Sequence, residues 1–313
     1  MLVEWLITLD CNYSCPYCYL LKQRRISDNQ GKIKEILKIF KKNGFSEIDI
    51  SGGEPFIAEN TLIQTINFCA AHDLKIRSIS TNGTIFSPKV ISSLREVSDL
   101  IFHVSLDAAT SATYQVMRKS NYFSQVIANI QSFIAADLEV FLGVTVTKIN
   151  YKEIAMVVDL AEKIGAKGVS LGGFIPLGEG SRLADWCLSK KEMEEVLSVC
   201  KNVSKKIKII GLGDNSCPAG IDKWCALSNG DLYPCALLVN FEEAKVGNLF
   251  QKDKFPPSSE WLQKFLEFQP SLECRGCDLP SLCYGGCKAA LYAKYYSFPQ
   301  NQLPICTATK KVG

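Results

Sequence analysis

The chain has 313 residues, with 35 Lys and Arg against 32 Asp and Glu and a formal charge of +3. That length can bury a full core as one large or two modest domains, and the near balance of charge predicts neither nucleic-acid binding nor a polybasic membrane patch. Residues 1–9 contain Glu4 and lack the charged start of a signal peptide, and no apolar run approaches a membrane span, so the expectation is a cytoplasmic protein with no membrane or nucleic-acid partner.

In chain order, residues 3–9 form an apolar, strand-like run. A helical period over 28–42 puts Ile33, Ile36, Leu37 and Phe40 on one face, and Asn43-Gly44 supplies its stop. A strand over 45–50 follows. The cycle repeats as helix 59–72 and strand 75–80, helix 88–97 and strand 100–106, helix 122–136 and strand 140–146, then helix 152–164 and strand 168–171. Strands alternating with helices call for parallel pairing through crossovers, an α/β architecture in which ligands sit at the carboxyl ends of strands. The alternation stops at 176–185, a Gly- and Pro-rich loop. A helical pattern over 190–205 and a short strand over 208–211 lead into a segment where Asn229-Gly230 signals a β-hairpin.

The cysteines carry the chemistry. Fourteen of them in a reducing compartment argue for metal ligation rather than disulfides. Cys11, Cys15 and Cys18 follow the first strand in Cys-x3-Cys-x2-Cys spacing; three thiolates on one loop can hold three irons of a cubane and leave the fourth open. The competing reading is a zinc knuckle, but the next cysteine is Cys69, far along the chain and in a helical pattern. Eight more cysteines run from Cys217 to Cys306, the number that two fully ligated four-iron clusters require, with two four-cysteine zinc sites as the competing reading. The hairpin brings Cys225 and Cys235 to the end of its ladder away from the turn. Cys69 and Cys200 read as buried thiols and Cys187, near the loop, as a weaker candidate for a catalytic thiol. With only His72 and His103 present, each read as structural, imidazole chemistry is not the expectation.

The loop Cys11-Asn12-Tyr13-Ser14-Cys15-Pro16-Tyr17-Cys18 resembles the signature of the radical S-adenosylmethionine (SAM) superfamily, with the aromatic Tyr17 before the last cysteine. The resemblance implies a partial (βα)6 TIM-like barrel over 1–188. It also implies that the open iron chelates SAM, whose reductive cleavage gives a 5'-deoxyadenosyl radical. On the same resemblance Gly52, Gly53, Glu54 and Pro55 match the segment assigned to the SAM amino group, Ser105 a ribose contact, and Arg118 a partner for the SAM carboxylate. Asn82 falls in a further family segment, Thr81-Asn82-Gly83, and Thr145 and Gly172-Gly173-Phe174 fall where adenine contacts belong. Asp107 closes a further family segment, Ser105-Leu106-Asp107, with a turn or a helix cap as the competing reading.

The second cysteine group matches the SPASM extension: Cys217, Cys225 and Cys235, then Cys274-x2-Cys277-x5-Cys283-x3-Cys287, then Cys306. This implies a bridging helix and strand over 189–211 and an irregular, cysteine-rich domain over 212–313 with a β-hairpin and short helices. One auxiliary [4Fe-4S] cluster would take Cys217, Cys225, Cys235 and Cys287, and the other Cys274, Cys277, Cys283 and Cys306. With the SAM-binding cluster that makes three, and electron relay is the simpler role for the closed pair.

Family members mostly modify ribosomally made peptides, so the leading expectation is oxidative modification of a peptide. A flavodoxin- or ferredoxin-type donor would supply the electron, and because the barrel begins at once, leader recognition is expected from a separate leader-binding protein or from the barrel surface. Ala236 stands where sulfatase-maturing relatives carry an acid after Tyr-Pro-Cys, which disfavours formylglycine formation. The alternatives are a dehydrogenase or rearrangement enzyme on a small molecule, and a non-catalytic iron-sulfur electron carrier.

Overall fold

The computed structural model describes residues 1–22, 30–203, 207–211, 217–251, 255–268, 282–283 and 287–295. Its centre is a single unclosed sheet of ten strands in the order β10-β9-β8-β1-β2-β3-β4-β5-β6-β7. The strands are β1 (Leu2–Leu6), β2 (Glu47–Ser51), β3 (Lys75–Thr81), β4 (Ile101–Ser105), β5 (Glu139–Val146), β6 (Gly168–Gly173), β7 (Lys208–Ile210), β8 (Lys223–Leu227), β9 (Asp231–Tyr233) and β10 (Gly247–Asn248). From β8 through β1 to β7 every neighbour is parallel; β9 and β10 continue antiparallel at one edge.

Side-chain alternation along each strand explains the layering. In β1, Val3 and Trp5 are fully buried, and Trp5 meets Phe40 of α1 (Ile33–Lys42) edge-on at 5.8 Å. Glu4, between them, faces the opposite side. Helix α1 packs through Ile33, Ile36, Leu37 and Phe40, as its period requires, and fully burying each contributes about 1.5–3 kcal/mol. It ends at Asn43, with Gly44 at φ +82° in the left-handed region. The other barrel helices are α2 (Glu59–Ala71), α3 (Pro88–Ser93), α4 (Ser111–Arg118), α5 (Phe123–Ala135) and α6 (Ile154–Ile164). Helix α7 (Lys190–Asn202) starts with a reciprocal Ser189–Glu192 capping box, while α8 (Glu260–Glu267) and α9 (Lys288–Tyr295) lie beyond the hairpin. No described helix is long and apolar enough to cross a membrane.

Three features differ from the sequence reading. Helix α4 is absent from it: eight residues with Tyr114 and Met117 buried give too short a period to detect, although Thr110 caps it by accepting from the Thr113 N–H. The 176–185 loop folds into two 3-10 turns, Gly178–Arg182 and Ala184–Trp186. The hairpin, assigned to a separate unit, adds to the barrel sheet, for β8 pairs with β1 over five residues from Leu2↔Lys223 to Leu6↔Leu227.

Candidate functional site

At the carboxyl ends of the parallel strands a cavity of about 350 Å³ is lined by Cys11, Cys15 and Cys18, by Tyr17, Gly52, Gly53, Asn82, Ser105, Arg118 and Thr145, and by Gly173, Phe174 and Leu237 among others. Three loop thiols and seven of the nine residues assigned to cofactor contact thus face one space. Glu54 and Pro55 do not line it. Glu54 is fully buried, and its carboxylate accepts from the Phe56 N–H at 3.0 Å, the Thr81 hydroxyl at 2.7 Å and the Asn82 N–H at 2.6 Å, which fixes the turn behind the cavity wall. Burial raises its pKa above the usual carboxylate range against those donors.

The glycines have a more local purpose than ligand approach. Gly52 sits at φ +148°, and a Cβ there would stand 2.3 Å from the Thr8 carbonyl oxygen; at Gly53 it would stand 2.1 Å from that of Asp10. Gly53 N–H donates to Thr8 at 2.8 Å and Glu54 N–H to Asp10 at 2.8 Å. The pair therefore lets the second strand-to-helix turn lie directly on the backbone that leads into Cys11.

The cysteine loop is held from several sides. Asn82 Nδ2 reaches Asn12 Oδ1 at 2.7 Å and Cys11 Sγ at 3.8 Å, and Asn12 Nδ2 donates to the Thr84 hydroxyl at 2.8 Å. Arg118 Nη1 donates to Cys15 Sγ at 3.9 Å. Burial pushes all three thiols up, Cys18 to about 11, because a bare thiolate is poorly solvated there. Among the described residues no group of three or more Cys, His, Asp or Glu converges as a site for a single ion.

Arg118 is buried, not a solvated helix cation. Its Nε lies 2.6 Å from Asp107 Oδ2, and its guanidinium stands 5.7 Å from the centre of the Tyr17 ring. Burial alone would lower its pKa, but Asp107 first, then Tyr17 and Cys15, hold it well above the ordinary value. Asp107 is a hub that sequence reasoning undervalued. It occupies the left-handed region at φ +63°, while the cap of α4 is Thr110. Its carboxylate meets Arg118, accepts from the Tyr17 hydroxyl, and accepts from the Thr145 N–H at 2.7 Å. Asn150 Nδ2 donates to its carbonyl at 2.7 Å.

In the hairpin region Cys225 is buried opposite Tyr233, with Cys235 two residues past the ladder end. Burial pushes the Cys235 thiol up to about 12, with Cys287 the next contribution, and Cys287 in turn is raised by burial and by Cys217. Cys287 thus lies within electrostatic reach of both Cys235 and Cys217. Cys283 is half-buried, and Leu282 beside it packs on β6, its carbonyl oxygen 2.4 Å from where a Gly173 Cβ would be. Cys274, Cys277 and Cys306 lie outside the described residues. Cys69 is buried, as read, and Cys187 lines neither this cavity nor the one below.

A second cavity of about 390 Å³ lies on the inner sheet face and shares Ser51, Ser80, Ser105 and Thr145 with the first. Its wall carries Glu4, Asp49, Arg77, His103 and Lys223, none of which was singled out as a site residue from sequence. Their only signal was period: a polar side chain at alternate positions of otherwise apolar strands.

The family model for the Radical SAM superfamily matches residues 5–161. Mycofactocin maturase MftC of Mycobacterium tuberculosis is 24% identical over 93% of this chain and 78% of its own length. AdoMet-dependent heme synthase of Methanosarcina barkeri is 22% identical over 97% of this chain and 95% of its own. Among solved structures, Streptococcus suis SuiB bound to precursor peptide SuiA has a TM-score of 0.75 at 18% identity, covering 94% of this chain and 73% of SuiB. Native anSMEcpe with bound AdoMet and the Cp18Cys peptide has a TM-score of 0.73 at 18% identity, covering 94% and 96%. At such identities these structures bear on the fold.

Proposed function

The chain belongs to the Radical SAM superfamily, and from that premise we propose that it cleaves SAM reductively and uses the resulting radical to modify a ribosomally made peptide oxidatively. The observation that carries the reading is the shared cavity: three loop thiols, the glycine turn, Asn82, Ser105, Thr145 and the buried Arg118, held by Asp107 from behind, face one space. When bound, a [4Fe-4S] cluster and SAM supply an electron and a 5'-deoxyadenosyl radical that removes a hydrogen atom from the substrate.

The protein's own part is to hold and exclude. Cys11, Cys15 and Cys18 would hold the cluster, with Asn82 and Arg118 donating to two of their sulfurs. Arg118 keeps a full positive charge beside Cys15, fixed by Asp107, and so suits the SAM carboxylate. Ser105 and Thr145 at the ends of β4 and β5 would meet the nucleoside. Phe174 and Leu237 give that side an apolar wall, which keeps water from a reactive carbon radical.

The domain reading is a barrel over 1–188, a bridge over 189–211 and an auxiliary-cluster unit over 212–313. The nearness of Cys287 to Cys235 and to Cys217 supports one four-cysteine set with Cys225; Cys274, Cys277, Cys283 and Cys306 would make up the second. Two closed auxiliary clusters would relay the electron released by the substrate, and a flavodoxin or ferredoxin would deliver the first one. The maturase relative and the peptide-bound neighbours favour a peptide, read with or without a separate leader-binding protein.

A second reading, a small-molecule substrate, draws on the heme synthase relative, which aligns over nearly the full length of both chains. Reconstituted protein given dithionite and SAM should form 5'-deoxyadenosine, and Cys15→Ala should abolish it. A candidate peptide encoded beside the gene should then lose a pair of hydrogens by mass spectrometry. Absence of deoxyadenosine would sink the enzymatic reading; an unchanged peptide with a turned-over small molecule would favour the second.

A further inference from the structure

The inner cavity holds charges that the SAM reading does not use. Its acids are Glu4, Asp49 and Asp107; its cations are Arg77 and Lys223, with His103 beside them. Asp107 is committed to Arg118 and Tyr17. The other four form two ion pairs: Arg77–Asp49 and Lys223–Glu4, the latter at 2.8 Å. Formal charge therefore nearly cancels, and the deciding question is which member of each pair reaches the open space.

In both pairs it is the cation. Arg77 is 45% exposed against 11% for Asp49, and Lys223 is 29% exposed against 19% for Glu4. Asp49 is covered further by the Ser78 hydroxyl, which donates to its Oδ1 at 2.6 Å. Arg77 uses one edge of its guanidinium on Asp49, Nε to Oδ1 at 3.0 Å and Nη2 to Oδ2 at 2.5 Å. Nη1 has no acceptor among the described residues, and the lysine ammonium spends one of its three protons on Glu4.

The backbone is shaped to produce this. The β2–β3 register runs Ile48↔Ile76 and then Asp49↔Ser78, so Arg77 is an extra residue in a bulge. Bulges are uncommon between parallel strands and re-aim a side chain. Here the bulge lets consecutive residues, Arg77 and Ser78, both bond Asp49. A plain ladder would send them to opposite faces.

We propose that the inner cavity is a carboxylate-binding subsite, in which Arg77 and Lys223 hold an anionic group of the substrate beneath the SAM site. A carboxylate matches the free edge of the guanidinium and a nearby ammonium, whereas a cationic group would meet both cations first. The shared serine and threonine positions make the subsite continuous with the cavity where hydrogen abstraction is proposed, so an anchored carboxylate fixes which carbon faces it. The inference rests on the radical SAM reading for what happens next, but not for the binding itself.

The test uses reconstituted protein and titrates glutarate against its neutral isostere glutaramide by calorimetry. Glutarate should bind and glutaramide should bind about tenfold or more weaker. The double variant Asp49→Asn/Arg77→Gln keeps a hydrogen-bonded neutral pair at unchanged net charge and should lose the preference, while Arg95→Gln, which removes a cation at an exposed position outside the cavity lining, should keep it. Equal binding of the two probes, or an unchanged preference in the double variant, overturns the proposal. Two further ligands separate the sources of the carboxylate: a glutamate-bearing peptide gaining over glutarate in the wild type but not in the double variant points to a peptide, and a porphyrin carboxylate doing so points to the small-molecule reading. Deoxyadenosine formation is measured on the same samples, so a failed subsite with SAM cleavage intact is distinct from a failed enzymatic reading.

Discussion

Asp107 meets three donors with one carboxylate, from Arg118, Tyr17 and Thr145, and all three residues line the cavity. Asp107→Ala would strand a buried guanidinium, and such a loss costs about 3–5 kcal/mol. Urea unfolding should show that drop, and SAM binding should weaken with it; a change under about 1 kcal/mol would mean that Arg118 finds other compensation. A second residue test concerns Gly53. A methyl there meets backbone, which cannot swing away, so Gly53→Ala should displace the chain at Asp10 and lower iron bound by the first cluster. Gly31→Ala, with nothing within 4 Å, should leave iron content unchanged. His103 gives a pH test. Burial lowers its pKa, with Arg77 adding and Asp49 opposing. The unfolded chain therefore binds the proton first as pH falls below about 6.5, and stability from this group is lost as pH drops towards the depressed folded value. His103→Gln should flatten that slope, and proton NMR is readable with two imidazoles in the chain. These residues show how far the sequence could be read. Arg118 and Tyr17 were visible through motif spacing, but that Asp107 joins them depends on a left-handed turn folding back, which no local pattern announces.

At the scale of elements, the β/α alternation was legible because each helix buries one face: Ile36, Leu37 and Phe40 in α1, and Val157, Val158 and Ala161 in α6. What escaped was anything decided between distant strands. The β3 bulge is one case, since Ile76 to Ser78 reads as plain strand until β2 is laid beside it. The Asn240 clamp is another: its Nδ2 donates to the Tyr19 carbonyl at 2.6 Å and its Oδ1 accepts from the Leu21 N–H at 3.3 Å, tying the turn after the hairpin to the chain just past Cys18. The hairpin turn itself was legible in Asn229-Gly230. Gly230 sits at φ +89°, and a Cβ there would stand 2.7 Å from the Phe250 ring. Gly230→Val should destabilise by about 1–3 kcal/mol through backbone strain and overpacking. Hydrogen exchange should quicken in β8 and, because the ladders are shared, in β1; quickening confined to 228–233 would show the hairpin to be energetically separate.

For the whole molecule, the strand that leads into the Cys11 loop and the strand that carries Cys225 belong to one sheet. Strand β1 runs into the Cys11 loop, and its other neighbour, β8, carries Cys225; Glu4 and Cys225 are register partners. The sequence separated these regions because a pairing between residues 2–6 and 223–227 spans the length of the barrel and leaves no local signal. The physical consequence is an edge. A chain ending at residue 211 would leave β1 with unpaired backbone groups along Leu2–Leu6, flanked by the apolar Trp5 and Leu6, and such an edge recruits other chains. Residues 1–211 should therefore aggregate or form dimers on expression, and should fail to hold the first cluster even though Cys11, Cys15 and Cys18 are all present. In the full chain, calorimetry should show one cooperative transition rather than two, with Cys235→Ala lowering the melting temperature of the whole protein as metal-binding energy is lost from the shared sheet. A soluble, monomeric 1–211 fragment that binds iron and cleaves SAM would show instead that β8 only leans on β1, and that the barrel is a folding unit in its own right.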